Sequence, residues 1–388
     1  MTIGPSFTMV IPMLLGSLMM VHSSKSSGGS ASLTMYSGVV MAISSGFIGI
    51  LWAIVNLYQQ KKRVKELELQ RFDAYSKYLV KKTELVKERY ESNTDALNKM
   101  YKSADECVGY DEKTSVLWNR NFRHDDFMYY RLGKGNIPFQ VNISIPEEKF
   151  RLNQDNLMEK PLFIKENYST LYNVPVGINL KEHRLVGVIG GEQLLGAIDV
   201  VKLLLTQIAA NNCYTDIKIV FIYDGKASSN LDQWDFVKWF PHVWSEDKKM
   251  RFIASNKQEA GDVFYNMAKT FRQREELELT KKDEIIQKPY FIMFLMNPEM
   301  IEGELIEKYV FDINQNYGLT TVIAADSYTG LPNACDYIIE NDNNFQGMYD
   351  VKDGQDERVQ IQFDTVDNNK TEKFAKRLSN IYVRETES

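Results

Sequence analysis

Arg184–Asn212 reads RLVGVIGGEQLLGAIDVVKLLLTQIAANN, and this stretch decides the fold. Its first half is a short unbroken apolar run, the pattern of a strand buried on both faces. Two glycines follow, and then a helical segment. A strand, a glycine-rich turn and a helix in that order is where an α/β sheet aims backbone N–H groups and a helix N-terminus at a phosphate. From Gly191 the spacing is Gly-x-x-x-x-Gly, as in a P-loop, but Ala197 and Ile198 come next. A working P-loop needs a lysine there to reach the β- and γ-phosphates, then Ser or Thr on Mg²⁺. Glu192 adds repulsion inside the turn. The candidate nucleotide-contacting residues are therefore Gly190, Gly191, Glu192, Gln193, Gly196, Ala197 and Ile198, forming a degenerate site that binds ATP weakly at most. The glycine spacing by itself is equally that of a plain strand–helix turn.

Outward from this core, VPVGINL, IKIVFIY, YFIMFLM, LTTVIAA and YIIE read as strands, and RFIAS as a further candidate. Helices are expected at about 258–287 and 302–316, and in KTEKFAKRLSNIYV. FQGMY and RVQIQF read as a hairpin. Apolar strands alternating with helices make an α/β fold with a mostly parallel sheet covered on both faces. In a nucleotide-hydrolysing sheet a second strand ends in acids that hold magnesium and polarise water. Here YFIMFLM runs into Asn297-Pro298-Glu299, so Asn297 stands uncharged at that position. Asp224, closing IKIVFIYD, is a competing acid that also reads as an ordinary turn residue. Residues 109–175 are short-stranded and turn-rich and read as a small β-containing collar, with the nucleotide-binding-like domain at 176–388.

The amino-terminal part has another character. Ile3–Val21 and Leu33–Tyr58 contain no charged residue. About 20 apolar residues cross a bilayer core, so residues 1–58 read as a two-span anchor joined by a Ser/Gly-rich turn. Lys61, Lys62 and Arg63 follow the second span, whereas the turn carries only Lys25. The positive-inside bias then leaves the bulk of the chain cytoplasmic at the cell membrane. A cleaved signal peptide is disfavoured because nothing basic precedes the first apolar run. That absence suggests a chain cut from something longer.

Residues 59–108 read as a helical stalk, since neither glycine nor proline occurs between Gly49 and Gly109. Phe72, Tyr75, Leu79, Thr83, Val86, Tyr90, Thr94, Leu97 and Tyr101 recur at steps of three and four, one stripe on one face. Phe72, Tyr75, Leu79, Val86 and Tyr90 are the candidate partner-binding residues; the alternative is a helix folded back on its own domain. Gln59–Asp105 carries 12 basic and 8 acidic side chains, a net +4 that suits anionic lipid headgroups, whereas the chain from Glu106 carries −11. That excess of acid speaks against a nucleic-acid groove. Three cysteines (Cys107, Cys213, Cys335) and four scattered histidines have no spacing that would hold a metal, and none is expected. No Ser-His-Asp set or carboxylate pair is legible, and no catalytic residue is assigned.

Leu231–Trp244, LDQWDFVKWFPHVW, resembles the tryptophan signature of the membrane ATPases of type VII secretion, the EssC/YukB/EccC family. LWNRNFRHDDFMYYRLGKG (Leu117–Gly135), the degenerate P-loop with its helix and following strand, YGLTTVIAA, LPNACDYII and the closing helix are similar in the same order. Trp234, Trp239 and Trp244 read as packing residues, with one free to dock, and His242 as a satisfied turn histidine. The resemblance implies the anchor, stalk and first degenerate domain of a multi-domain FtsK/SpoIIIE-like protein. The parent is implied to export WXG-type substrates with ATP through later domains, as an oligomer. The implied partners are a bitopic pseudokinase-like protein, a large multispanning protein and a small ubiquitin-like protein. The expectation is a non-hydrolysing anchoring and docking part. An active FtsK-like ATPase or DNA translocase, or a membrane sensor that binds nucleotide, are the alternatives.

Overall fold

The computed structural model describes residues 14–16, 18, 32–141, 143, 159–226, 233–278, 288–312, 315–352 and 358–383. In chain order the first elements are α1 (Ser32–Met100), α2 (Ala104–Cys107), β1 (Tyr129–Pro138), α3 (Glu159–Asn167), β2 (Thr170–Asn179), β3 (Leu185–Ile189) and α4 (Leu195–Asn211). They are followed by β4 (Ile217–Ile222), β5 (Ile253–Ala254), α5 (Lys257–Glu278), β6 (Tyr290–Leu295), α6 (Glu307–Phe311), β7 (Leu319–Ala325), β8 (Tyr337–Asn341), β9 (Gln346–Asp350), β10 (Val359–Phe363) and α7 (Asn368–Leu378). Two compact units emerge: Met1–Leu85 with Ile145–Ile164, and Val86–Ser144 with Lys165–Ser388.

The first unit contains α1 up to Leu85. Its apolar side chains from Ile43 to Tyr58 are exposed on every side, Phe47 at 67% and Leu51 at 61%. Further along, Leu79 is buried, Phe72 is exposed with the Lys160 ammonium 5.0 Å from its ring centre, and Tyr75 is half-buried. The first expected span, residues 3–21, and the Ser/Gly-rich turn lie outside the described residues, except Leu14, Leu15, Gly16 and Leu18.

The second unit is built on a ten-stranded sheet of order β2-β1-β10-β9-β8-β3-β7-β6-β4-β5. The six strands from β8 to β5 are parallel, whereas β9, β10, β1 and β2 extend the sheet antiparallel. Alternation along each strand makes two cores. Val186, Val188, Ile219, Phe221, Ile292 and Phe294 face α4, with Val200, Val201, Leu204 and Ile208. Leu185, Ile189, Val220, Ile222, Met293 and Leu295 face α5, with Val263, Phe264, Met267 and Phe271. A mixed α/β fold with helices on both sheet faces is thus what the continuous apolar strands require.

One local expectation changes. The helix expected at 302–316 is only Glu307–Phe311, because Gly303 adopts a left-handed φ of +81° ahead of it and Asp312 turns away after it. Glu278 is the last described residue of α5, and 279–287 lie outside the description. Residues 109–175 do not close on themselves: β1 and β2 join the large sheet through β10.

Candidate functional site

The chain passes from β3 into a tight turn at the carboxyl edge of the sheet. β3 lies between β8 and β7, while α4 carries the chain across to β4, on the far side of β6. The connection after β7 returns to the opposite flank of β3, so strand order reverses here, the usual place for a ligand crevice. Gly191 has a φ of +68°, and Gln193 and Leu194 both sit in the left-handed region at +58° and +59°. Part of the turn's amides are spent inside it. Leu194 N–H donates to Gly191 O at 3.0 Å, Leu195 N–H to Glu192 O, and Gly196 N–H to Gly190 O at 2.9 Å. Gly190 N–H donates to Ala325 O on β7. A phosphate cradle needs such groups pointing inward and unoccupied.

The end of β8 closes the turn further. A side chain at Gly196 would place its Cβ 1.6 Å from the carbonyl oxygen of Asn341, and the Asn341 amide donates to Gly196 O at 3.1 Å. At Gly191 the nearest atom to an added Cβ is the Asp342 Cβ, 3.1 Å away. Ala197 is fully buried and Ile198 is buried, both in the core facing α4. The two positions that would carry an ammonium and a hydroxyl therefore point into packed protein. Glu192 and Gln193 are exposed. Beside the turn a depression of about 620 Å³ is lined by Asp326, Glu340, Asp342 and Asp350 against one cation, Arg358. Asn297 lies at the same edge, two strands from β3; its side chain accepts from Glu299 N–H at 3.0 Å and caps the turn. Asp224 likewise accepts from Lys226 N–H at 2.9 Å. Among the described residues no group of three His, Cys, Asp or Glu side chains could hold a metal.

At the other end of α4 two sequence blocks converge on its last carbonyls. Ala209 O accepts from the Trp118 indole at 2.8 Å, Ala210 O from Trp118 N–H at 2.9 Å, and Asn211 O from Arg120 N–H at 3.1 Å. Asn212 O accepts from His242 Nε2 at 2.9 Å. The Asn212 side chain accepts from the Tyr130 hydroxyl at 2.8 Å and donates to Phe127 O at 2.7 Å. A helix end leaves four carbonyls without intrahelical partners, and here each is met. Arg120 also reaches α1, donating to Met100 O at 3.3 Å, while Arg131 donates to Tyr101 O at 3.0 Å and pairs with Asp364. Positive groups at a helix carboxyl end are favourable.

The tryptophan block is two 3₁₀ segments, Asp235–Trp239 and Pro241–Val243, with its first two residues outside the described ones. Trp234 is buried against Phe221, ring centres 4.8 Å apart; Trp244 is half-buried; Trp239 is the exposed member at 36%. His242 is fully buried, and burial pushes its pKa down to about 3. Cys107 and Cys335 are buried, with thiols pushed up to about 12 by desolvation, and are unreactive.

The helical stripe divides. Val86 and Tyr90 pack on Phe139, Leu171 and Val174, and Tyr90 meets Phe139 and Tyr168 edge-on at 5.5 and 5.6 Å. These two are half-buried against apolar surface from β1 and β2, as the fold-back alternative has it. Phe72, Tyr75 and Leu79 belong to the first unit. Asn341 and Asp342, which fill the turn, were not singled out by sequence reading. Their signal is the polar pair that ends the apolar run YIIE.

These features define a parallel-sheet α/β domain with a P-loop-like turn at its switch point. No protein-family model matches the chain. It is 23% identical over 349 residues to the type VII secretion system protein EssC of Staphylococcus aureus (strain NCTC 8325 / PS 47), covering 88% of this chain and 23% of that one. It is 22% identical over 343 residues to the ESX secretion system protein YukB of Bacillus subtilis (strain 168), covering 88% of this chain and 22% of that one. The resemblance carried by the tryptophan block is thus borne out: the chain is similar to a portion of the EssC-type secretion proteins and spans less than a quarter of their length. Among solved structures, Thermomonospora curvata EccC (ATPases 2 and 3) in complex with a signal sequence peptide overlaps 71% of this chain and 51% of its own, with a TM-score of 0.46 and 12% identity. EssC (ATPases 2 and 3) from Geobacillus thermodenitrificans overlaps 69% and 50%, with a TM-score of 0.44 and 12% identity.

Proposed function

We propose that this chain is the anchoring and coupling part of a type VII secretion motor protein and that its P-loop-like domain does not hydrolyse nucleotide. The observation that carries the reading is the closed turn. Leu194, Leu195 and Gly196 donate their amides inside it, Asn341 O occupies the space beside Gly196, and Ala197 and Ile198 are packed where chemistry would need Lys and Ser or Thr. The acidic lining beside the turn repels a triphosphate as well.

The charge-free stretch Leu33–Tyr58, with apolar side chains exposed all round from Ile43 to Tyr58, supports a membrane span, and the charge-free Ile3–Val21 a second. Everything after Tyr58 is then cytoplasmic. Phe72, Tyr75 and Leu79 would meet another membrane component of the apparatus, the bitopic protein first, with the multispanning and ubiquitin-like proteins completing the assembly. Export of WXG-type substrates would belong to later modules of the parent.

The test is nucleotide titration and phosphate release with the full chain in detergent, with and without Mg²⁺. Hydrolysis at background level is expected. Motor-like turnover that disappears on replacing Gly191 would overturn the reading.

A further inference from the structure

At the amino ends of β4 and its neighbours, the edge of the sheet opposite the P-loop-like turn, lies a depression of about 670 Å³. Its walls come from the residues after α4, the tryptophan block, Lys248–Arg251 and the segment that follows α7. Four cations line it, Lys218, Lys238, Lys248 and Arg251, against one carboxylate, Glu246. Each cation rests on an aromatic ring. Lys218 is 5.6 Å from Tyr214, Lys238 5.6 Å from Trp239, Lys248 4.7 Å from Tyr382, and Arg251 4.3 Å from Trp244.

Only Lys238 has a carboxylate, Asp235 at 2.6 Å. Among the described residues Lys218, Lys248 and Arg251 have neither an ion-pair partner nor a side-chain hydrogen bond. Lys218 is decisive. It is 4% exposed on a core strand, with its ammonium opening into the depression. It lines the depression with Glu246 as the one nearby carboxylate and Lys248 as a second cation. Burial lowers its pKa, which a bound anion would reverse.

We propose that this depression binds a phosphate-bearing small molecule of mononucleotide size. Its volume lies within the ~300–1,000 Å³ of small-molecule pockets. The Arg251 guanidinium offers the fork that matches phosphate oxygens, and Lys218 a point charge in the same depression. Trp239 and Tyr382, at 36% and 72% exposure, add exposed aromatic surface beside the cations that rest on them. Unlike the acid-lined crevice beside Gly191, this one carries the charge a phosphate needs.

The experiment is isothermal titration of the full chain with AMP in Mg²⁺-free buffer, with inorganic pyrophosphate as competitor. Saturable AMP binding is expected, competed by pyrophosphate. It should weaken about tenfold or more in Lys218→Met and in Arg251→Gln, and stay unchanged in Gly191→Ala. Arg251 is exposed, so its variant reports on binding even if Lys218→Met perturbs folding. Absence of AMP binding would overturn the proposal. So would equal binding by both lysine and arginine variants, or capture of a glutamate-rich peptide without any response to AMP or pyrophosphate.

Discussion

His242 Nε2 lies 2.9 Å from the carbonyl oxygen of Asn212, so a buried imidazole in the tryptophan block donates to the residue that closes α4. Because the partner is a carbonyl, the proton sits on Nε2, and Nδ1 is left without a hydrogen-bond partner among the described residues. The contact is a helix-end clamp, and it makes His242 a structural group.

Its titration follows. An unfolded imidazole titrates near 6.5, whereas the buried one is held down to about 3 by desolvation. Below pH 6.5 the unfolded chain takes up a proton that the folded chain refuses. Stability therefore falls by about 1.4 kcal/mol per pH unit as pH drops from 6.5 towards 3 and gains nothing from this group above 6.5. His242→Gln is expected to cost about 2–3 kcal/mol at pH 7.5 and to remove this slope. Urea midpoints at pH 7.5, 6.0 and 5.0 for both proteins check it; parallel pH profiles would contradict the assignment.

Gly196→Ala should cost more than ~3 kcal/mol or prevent folding, since its methyl would fall 1.6 Å from Asn341 O. Gly303→Ala is the matched control. That glycine also has an unusual φ, +81°, but no atom lies within 4 Å of an added Cβ. Only the ~1–2 kcal/mol of left-handed backbone strain is then expected. Thermal unfolding of the two variants separates packing from conformation.

Writing a lysine and a threonine into the turn, Ala197→Lys with Ile198→Thr, is not expected to create hydrolysis. Both side chains would enter the core facing α4, and the opposing position is Asn297. The double variant should lose several kcal/mol of stability from the buried ammonium and release phosphate no faster than the parent. A coupled-enzyme assay beside a denaturation curve reads both.

The ion pair between Arg131 and Asp364 supplies another test. Nε and Oδ2 approach to 2.8 Å off the hydrogen-bond direction, and the second guanidinium nitrogen donates to Oδ1 at 3.1 Å. Asp364→Ala leaves a buried cation that otherwise holds Tyr101 O, and should cost about 3–5 kcal/mol. Arg131→Met with Asp364→Leu should recover much of that loss. Urea denaturation of the single and double variants decides; equal losses would contradict it.

Along α1, Val86→Glu should destabilise the sheet-bearing unit by about 2–4 kcal/mol, because Val86 packs with Phe139 and Leu171. Phe72→Glu, at an exposed position, should leave unfolding unchanged and release a membrane partner. Co-purification from membranes reads the second effect; a partner retained by Phe72→Glu would exclude that surface.

The strands were legible because residues buried on both faces are mostly apolar: Leu185–Ile189 is wholly so, and Ile217–Ile222, Tyr290–Leu295 and Leu319–Ala325 depart from it only at Lys218, Tyr290, Thr320 and Thr321. The missing lysine and hydroxyl after Gly196 were visible for the same local reason. The closure of the turn was not, since Asn341 reaches Gly196 from 145 residues away. Nor was the basic depression, whose cations come from separate segments joined only by the sheet. The tryptophan block forms 3₁₀ turns, the second opening on Pro241, which fixes φ and removes a donor. Of the stripe on α1, Val86, Tyr90 and Leu97 meet Phe139, Leu171 and Val174, which lie far off in sequence.

Arg120 has one more consequence. Its amide donates to Asn211 O at the last turn of α4, and its guanidinium to Met100 O at the end of α1. The two helices therefore share a knot at their ends. A pull on the end of α1 at Met100 would reach the buried helix behind the sheet through Arg120, as it would through Gln207, which donates to Lys102 O at 2.9 Å.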